Sequence, residues 1–545
     1  MSDYDVIVIG SGAGGLTAAL AFARSGKKVM VFEQHYLPGG WCHSFPLNGF
    51  SFSPGVHYIG EMEQGGQMRR IYEGLGIAND LPFMELNPDG YDHIQIGNDK
   101  FDIPKGKDNF RARLKARFPH EASGIDKYMD TIATISAELM EGAKVRNNYD
   151  ALRMPWRMRH VIRHAFTPLG SFVDKLVTDP LLRSILTIQA GDHGLGPNRA
   201  PLVVHAAVQG HYFGGGFYPK GGARSIPKAY IKALRAHGGN IKVNAPVSKI
   251  LIEKGRAIGI RLEDGTEVSA DIVVTNADPG ITWGKLIERE NLNWMMRRRM
   301  DNIRWSVSAL SLFFAVDMDL RAAGMDSGNY WYSRQASVED FYTYADRRDL
   351  TDAPQTPGCF LTATTLKDPT KRRDGLHTLE SFSFVHPDTF KKWQATKHGG
   401  RPGEYEGFKA RLTDRMFETI HEIMPGMRDH VVFETLGTPL TNVHYVAATE
   451  GNLYGTEKTL FNLGPFGFPI TTHIKGLYQC GQSTIGHGVA GVTNSGLLAA
   501  AEALGCHHSE FLTATGQDLK IYQADDMRDW PESMKRKVRG SKAAA

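Results

Sequence analysis

The chain is poor in cysteine, in charge of one sign and in long apolar runs. Four cysteines, Cys42, Cys359, Cys480 and Cys506, are scattered through 545 residues with no CxxC and no zinc-like His/Cys spacing. That pattern excludes a disulfide scaffold and a structural metal site, and it suits reduced thiols. The formal net charge is only +4. A dedicated nucleic-acid binder would carry a larger, clustered basic excess, so no nucleic-acid partner is expected. No run approaches the roughly 18 continuous apolar residues that a spanning helix needs. The longest candidate, Val307–Val316, is short and broken by Ser308 and Ser311. Met1–Gly10 enters a strand almost at once, without the basic and apolar regions of a signal peptide. A cytoplasmic protein is expected, touching a membrane only peripherally. Its length exceeds what one hydrophobic core serves, so two intertwined domains are expected.

What is present begins at the N-terminus. Tyr4–Ile9 (YDVIVI) is a nearly unbroken β-branched run, as in a parallel strand buried on both faces. It leads into Gly10-Ser11-Gly12-Ala13-Gly14-Gly15, which matches G-x-G-x-x-G. A helix follows with Leu16, Ala19, Leu20 and Ala23 on one face and Gly26 placed to end it. A second strand, Lys28–Glu33, finishes in an acid. Gly10 permits the tight turn, and Gly12 lets the backbone approach a pyrophosphate. Gly15 lets helix and strand pack closely. The phosphates then meet the positive end of the helix, on the turn that carries Ala13 and Gly14. Glu33, 23 positions after Gly10, falls where a carboxylate accepts hydrogen bonds from ribose hydroxyls. A glycine-rich turn in an unrelated fold would not keep strand, glycines, helix, strand and acid in register. Pro38-Gly39-Gly40-Trp41, with Gly49 and Gly55 beyond, replaces the next strand–helix unit of a plain NAD domain, so the dinucleotide expected is FAD.

Farther along, Phe101–Ala200 is mostly helical and basic. Within it, Leu152–Phe166 mixes Arg and His with Met, Trp and Phe. Such a helix either packs its apolar side on the body or lies in a bilayer interface. After a glycine cluster at Gly214–Gly222 come a helix from Ser225 to His237 and a run of hairpin signals from Asn240 to Thr275. The aromatic-rich stretch from 281 onward suits a substrate domain. Near the end, Gly476–Gln482 reads as a strand, Gly486–Gly496 as a glycine loop and Leu497–Leu504 as a helix. The loop aims a helix start at the edge of a flavin where negative charge develops on reduction. No second strand-flanked GxGxxG occurs, so the chain offers no dedicated NAD(P)H domain. NAD(P)H remains a candidate electron donor without a site of its own. The expected division places 1–100, 201–280 and 470–510 in the cofactor domain and 101–200 with 281–469 in the substrate domain. Residues 511–545 are expected as a solvated tail.

Several segments together resemble the retinol saturase branch of the carotenoid desaturase/isomerase superfamily. They are Glu33-Gln34-His35, Pro38–Phe45, Gly55–Gly60, Gly215–Gly222, Thr438–Asn442, Tyr445–Ala448, Gly451, Tyr454-Gly455 and Leu477–Gln482. The resemblance implies an α/β fold of the amine-oxidase and carotenoid-desaturase type, with a discontinuous Rossmann-type FAD-binding domain and an α+β substrate domain. It implies non-covalently bound FAD and saturation of a conjugated C=C bond in a lipophilic polyene or isoprenoid. Desaturation and cis–trans isomerisation are the alternatives. Cofactor contacts carry over to Gly12, Gly14, Gly15, Glu33, Gln34, Gly40, Trp41, Val247, Asn276, Gly481, Gln482, Val489 and Val492. His57, Tyr58 and Tyr445 are the candidate proton sources. Amine oxidases share the frame, and some link the flavin to a cysteine. Cys480 is read instead as a buried free thiol.

Overall fold

The computed structural model describes residues 2–142, 148–353, 355–459, 462 and 466–543. Strand β1 (Tyr4–Ile9), helix α1 (Ala13–Arg24) and strand β2 (Val29–Phe32) form the expected parallel unit, with Val6 opposite Val29 and Ile9 opposite Phe32. Ala13 through Ala23 of α1 are all buried. Helices Ser225–Ala236 and Gly488–Leu504 cover it on different sides, and its alanines and glycines let both approach closely.

The sheet gathers distant stretches of chain. On one side of β1 lies β2 and then Asn240–Lys242, and on the other lies Glu267–Thr275. This long strand serves two structures. Its start pairs antiparallel with Arg256–Leu262, and its end pairs parallel with both β1 and Leu477–Gln479. Of the hairpin signals expected between Asn240 and Thr275, Val247–Glu253, Arg256–Leu262 and Glu267–Thr275 form an antiparallel meander that grows out of the parallel sheet, whereas Asn240–Lys242 is a parallel neighbour of β2 instead.

A second, seven-stranded sheet runs in the order Val431–Gly437, Ser308–Val316, His377–Val385, Gly358–Ala363, Asn329–Ser333, Asp92–Ile96 and Asp99–Ile103. The longest apolar run of the sequence is thus a strand interior to this sheet. Leu310, Leu312 and Phe314 face a core shared with Leu412, Met416 and Ile420 of helix Gly403–His421. Trp331, Phe360 and Phe384 face the helical region between 107 and 211. Period-2 alternation across a sheet covered on both sides accounts for the pattern.

Four sequence expectations need correction. The boundary at residue 100 cuts through the hairpin Asp92–Ile96/Asp99–Ile103, and both of its strands belong to the second sheet. The late helix starts at Gly488, inside the segment expected as a glycine loop. In the third turn of this helix α1 packs closely against a glycine: a Cβ on Gly496 would sit 2.2 Å from the Gly14 carbonyl oxygen. The segment Leu152–Phe166 is divided between Asn148–Arg157 and Arg159–His164. Trp156, Ile162 and Phe166 stand exposed, Val161 alone joins the neighbouring core, and the Leu152 side chain lies outside the described residues.

The tail is not free either. Ile521–Gln523 pairs parallel with Phe83–Glu85, which in turn pairs with Phe217–Pro219. Trp530, Met534 and Val538 pack with Met84 and Ala524, and the Trp530 indole donates to the Gln523 carbonyl at 2.7 Å. Three apolar residues spaced four apart form a helical stripe that a polar background conceals. Trp530→Ala should destabilise this docking by about 3 kcal/mol. Amide exchange across 519–538 should accelerate accordingly, with the 4–32 unit unchanged; equal protection in both proteins would show a tail that docks without the indole.

Candidate functional site

A continuous cavity runs from the Glu33 end of β2 along the glycine turn to His57, Phe382 and Tyr454. Two helix N-termini border it, those of α1 and of Gly488–Leu504, and neither has a side-chain cap hydrogen bond. Uncapped first-turn amides and aligned dipoles suit an anion or developing negative charge at each place.

The glycine turn is shaped against Asn276. A Cβ on Gly12 would lie 2.6 Å from Asn276 Nδ2, and one on Gly14 would lie 2.7 Å from Asn276 Oδ1 and 2.9 Å from the Val492 carbonyl oxygen. On Gly15 it would lie 2.2 Å from the Gly10 carbonyl oxygen, and Gly10 itself has φ +89°. Gly40, at φ +53°, brings its backbone against Gly12. Glu33 is buried at the end of β2. Its Oε2 accepts from the Ser11 amide (2.8 Å) and hydroxyl (2.6 Å), and its Oε1 accepts from the His35 amide (2.9 Å). Ser11 Oγ also accepts from the Gly39 amide at 3.0 Å. The carboxylate thus fastens the glycine turn to the following loop, with acceptor capacity left for ribose hydroxyls.

Ala13, Gln34, Trp41, Val247, Gly481, Gln482, Val489 and Val492 all line the same cavity. Gln34 is exposed at its mouth, and Trp41 lies over Gly55. Gly481, at φ +104°, donates its amide to Ser495 Oγ at 2.9 Å, and Gln482 is held against Asn452 at 3.2 Å. Burial pushes the Cys480 thiol well up from its usual range, and its sulfur lies 3.4 Å from Asn276 Oδ1. A thiol kept protonated is a poor nucleophile for a thioether bond.

The three candidate proton sources are not brought together. His57 borders the cavity, with Nε2 3.1 Å from Glu380 Oε2 and its carbonyl accepting from Lys367 Nζ at 2.6 Å. Tyr58 points elsewhere: its ring stacks on Tyr212 at 4.2 Å, and its hydroxyl lies 2.8 Å from Asp192 and 3.2 Å from Asp92. Burial, then Asp192 and Asp92, hold that hydroxyl well above its ordinary pKa. Tyr445 lies by the nucleotide end, edge-on to His35, with its hydroxyl 3.4 Å from His398 Nε2. Sequence reading missed Glu380, Lys367, Asn329, Asp92 and Asp192, which converge behind His57 and Tyr58. They lie up to hundreds of positions apart and share no motif. The only local signal was a charged residue in an otherwise apolar or glycine-flanked setting.

A glycine cradle, a buried carboxylate at the end of β2 and a second helix start on one cavity are the features of a flavin-dependent oxidoreductase. The chain belongs to the flavin containing amine oxidoreductase family, which it matches over residues 13–405, and it is an FAD-dependent oxidoreductase. Among curated proteins it is 30% identical over 524 residues to an all-trans-retinol 13,14-reductase of Danio rerio, covering 91% of this chain and 85% of the relative. It is 27% identical over 517 residues to a chloroplastic prolycopene isomerase of Arabidopsis thaliana, covering 91% and 82%. In fold it is similar to putrescine oxidase solved with putrescine bound, with a TM-score of 0.61 at 15% identity, covering 92% and 99% of the two chains. The α/β architecture of this superfamily is therefore shared.

Gly14→Ala should abolish flavin retention, because its methyl would meet both Asn276 and the backbone of the late helix. Gly400→Ala, whose nearest neighbour would be 3.9 Å away, should keep it. Flavin absorbance per protein after gel filtration reads both; a fully yellow Gly14→Ala would disprove the cradle.

Proposed function

We propose that the protein saturates a conjugated C=C bond of a polyene or isoprenoid lipid, as a member of the retinol-saturase-like branch. The observation that carries this reading is similarity along nearly the whole chain to a retinol reductase and a carotenoid isomerase. The cavity agrees with it. Beyond the glycine turn its lining includes Pro54, Val56, Ala309, Phe382 and Leu453, which suit a hydrocarbon chain.

Non-covalent FAD, when bound and reduced, supplies a hydride. The chain's own residues do the rest. Ala309, Ser311 and Phe382 on the second sheet, with Leu453 beside them, hold the polyene by shape and keep water out. The start of helix Gly488–Leu504, with Val489 and Val492 on the cavity, steadies negative charge. Glu33 and Gln34 with Val247 hold the adenosine end, while Gly12, Ala13, Gly14 and Gly40 receive the diphosphate. Gly481, Gln482 and Asn276 fix the backbone beside the ring. Among the described residues no second dinucleotide-binding unit occurs, and NAD(P)H stays the candidate electron donor without a domain of its own.

Likeness to a prolycopene isomerase favours one second reading, redox-neutral isomerisation on reduced flavin. Anaerobic mixing separates the readings. Reduced protein should be re-oxidised by all-trans-retinol or β-carotene, with loss of polyene absorbance. Isomerised polyene with the flavin still bleached would favour the second reading, and oxidised flavin bleached by the lipid would show a desaturase.

Peripheral membrane contact belongs to the same proposal. No described helix is long and apolar enough to cross a membrane. Trp156 (78% exposed), Phe166 (63%) and Ile162 (54%) project near Arg159 and Arg163, a combination suited to an anionic interface. Trp156→Ala with Phe166→Ala should reduce co-sedimentation with phosphatidylserine vesicles several-fold; unchanged binding would remove this face as the contact.

A further inference from the structure

We infer that His57 is the acid that gives the alkene its proton, and that Glu380 positions its imidazole. This rests on the reduction proposed above and assigns its proton to a residue.

His57 is part of the cavity wall, at the end where Pro54, Val56, Ala309, Ser311 and Phe382 line it. The second sheet sets this wall by its register. Ser311 and Phe382 are direct partners across strands Ser308–Val316 and His377–Val385, and Phe382 is in turn opposite Phe360. Side chains two apart on a strand share a face, so Glu380 stands on the same face as Phe382, one step along. The His57 ring leans on the stacked pair Phe360 and Phe382, with centroids 5.0 and 6.0 Å away. Its Nε2 lies 3.1 Å from Glu380 Oε2, and the two side chains are 14% and 2% exposed. The imidazole thus has the sheet on one side and the cavity on the other.

Both partners are held. Glu380 Oε1 accepts from the amide of Ser53, four residues before His57, at 2.7 Å. Glu380 Oε2 is buried and accepts no aligned hydrogen bond among the described residues, so the approach of the His57 ring is the contact that can satisfy it. Catalytic contacts of this kind commonly tighten when substrate binds. The His57 carbonyl accepts from Lys367 Nζ at 2.6 Å, and Ile59 exchanges both backbone hydrogen bonds with Phe217 at 2.8 and 2.9 Å. Lys367 and Lys371 are the cations near Glu380. A carboxylate behind Nε2 orients the ring and balances the charge it carries with its second proton, which leaves Nδ1 as the donor.

Other protic groups on the cavity are committed elsewhere. Asp278 accepts from the Gly280 amide, the Thr449 hydroxyl and the Asn452 side-chain amide at 2.7–2.9 Å. Tyr454 donates its proton to the Gly191 carbonyl at 2.9 Å. His43 Nδ1 lies 2.6 Å from the Gly40 carbonyl, and burial brings its pKa down to about 4. Burial raises the thiols of Cys42 and Cys480. His35 and Tyr445 meet edge-on at the nucleotide end. His57 is left at the hydrocarbon end.

The step balances. One alkene carbon receives hydride, with its two electrons, from reduced flavin, which is thereby oxidised. The neighbouring carbon takes the proton as the His57 N–H bond breaks and a C–H bond forms. The neutral imidazole keeps its Nε2 proton toward Glu380 until solvent restores the other.

Carbethoxylation of the oxidised holoprotein by diethyl pyrocarbonate, mapped by mass spectrometry, tests the placement without turnover. His57 should be labelled, and all-trans-retinol should protect it while exposed His237 is labelled as before. A His57 that does not label, or labels equally with retinol present, overturns the proposal. In the anaerobic assay His57→Gln should lower the maximal rate of re-oxidation by retinol by on the order of 100-fold or more. Flavin content and half-saturating retinol should stay unchanged. An unchanged maximal rate, or a loss of affinity alone, overturns the donor role. Glu380→Gln should slow the parent protein yet add no loss to His57→Gln, because its effect passes through the imidazole. Losses that multiply would overturn the positioning role of Glu380. A parent protein that neither all-trans-retinol nor β-carotene re-oxidises fails the reduction reading, and the donor role with it. Parent and His57→Gln proteins that react equally fail the donor role alone.

Discussion

The Asn276 side chain is the contact on which the rest of the structure turns. It follows the strand Glu267–Thr275 and reaches the space left by Gly12, Gly14 and Gly15, while its backbone amide donates to the Ile9 carbonyl at 2.8 Å. Gly481 and the Cys480 sulfur close on its amide oxygen from the opposite side. A single side chain thereby joins β1, the helix α1 start, the return strand and the late helix. The glycines are required here by their neighbours as well as by any diphosphate. A methyl group at Gly14 would separate two helices before it met a ligand.

That interlock shows why parts of the site could be read from the sequence and others could not. The β1–α1–β2 unit was legible because strand, glycines, helix and acid follow one another within about thirty residues and each has a local physical reason. Glu33 was placed at the end of β2, although its hold on Ser11 and His35 was not foreseen. The hairpins from Val247 to Thr275 were legible through their alternation, though Asn240–Lys242 joined the parallel sheet instead. The late helix start was misplaced because glycines at helix positions usually signal a loop. Close packing of Gly496 against Gly14 and Thr17 of α1 is a tertiary fact that no local pattern announces. The docked tail was hidden for a similar reason, since three apolar residues spaced by four among many charges look like a solvated helix until Met84 is found beneath them.

The pairing of residues across domains was out of reach for another reason. His57 and Glu380 are separated by more than three hundred positions, and so are His57 and Lys367. No periodicity links them. The second sheet brings them together, because His377–Val385 and Asp92–Ile96 lie in one sheet and the segment after Gly55 passes in front of it. Tyr58 and His57 are adjacent in sequence yet serve opposite sides, His57 the cavity and Tyr58 the carboxyls behind it, as alternating side chains of extended backbone do.

The buried polar cluster behind the cavity has a cost that ordinary core residues would avoid. Lys367 is fully buried, and burial brings its pKa down to about 7 despite the opposing influence of Glu380 and Asp92. Replacing such groups by apolar residues of similar volume is commonly neutral or stabilising, whereas removing one partner alone costs about 3–5 kcal/mol. Stability therefore does not explain why a lysine, two aspartates and a glutamate are assembled there. Their connections suggest what does. Lys367 donates to the His57 carbonyl and to Asn329, Asn329 donates to Asp92, and Asp92 shares Tyr58 with Asp192. Lys367 ties the His57 segment to the second sheet, Asn329 and Asp92 lie side by side within that sheet, and burial brings Lys367 down to about 7 and Asp92 up to about 6. Such a cluster can change its proton content at small energetic cost, which an inert core cannot do.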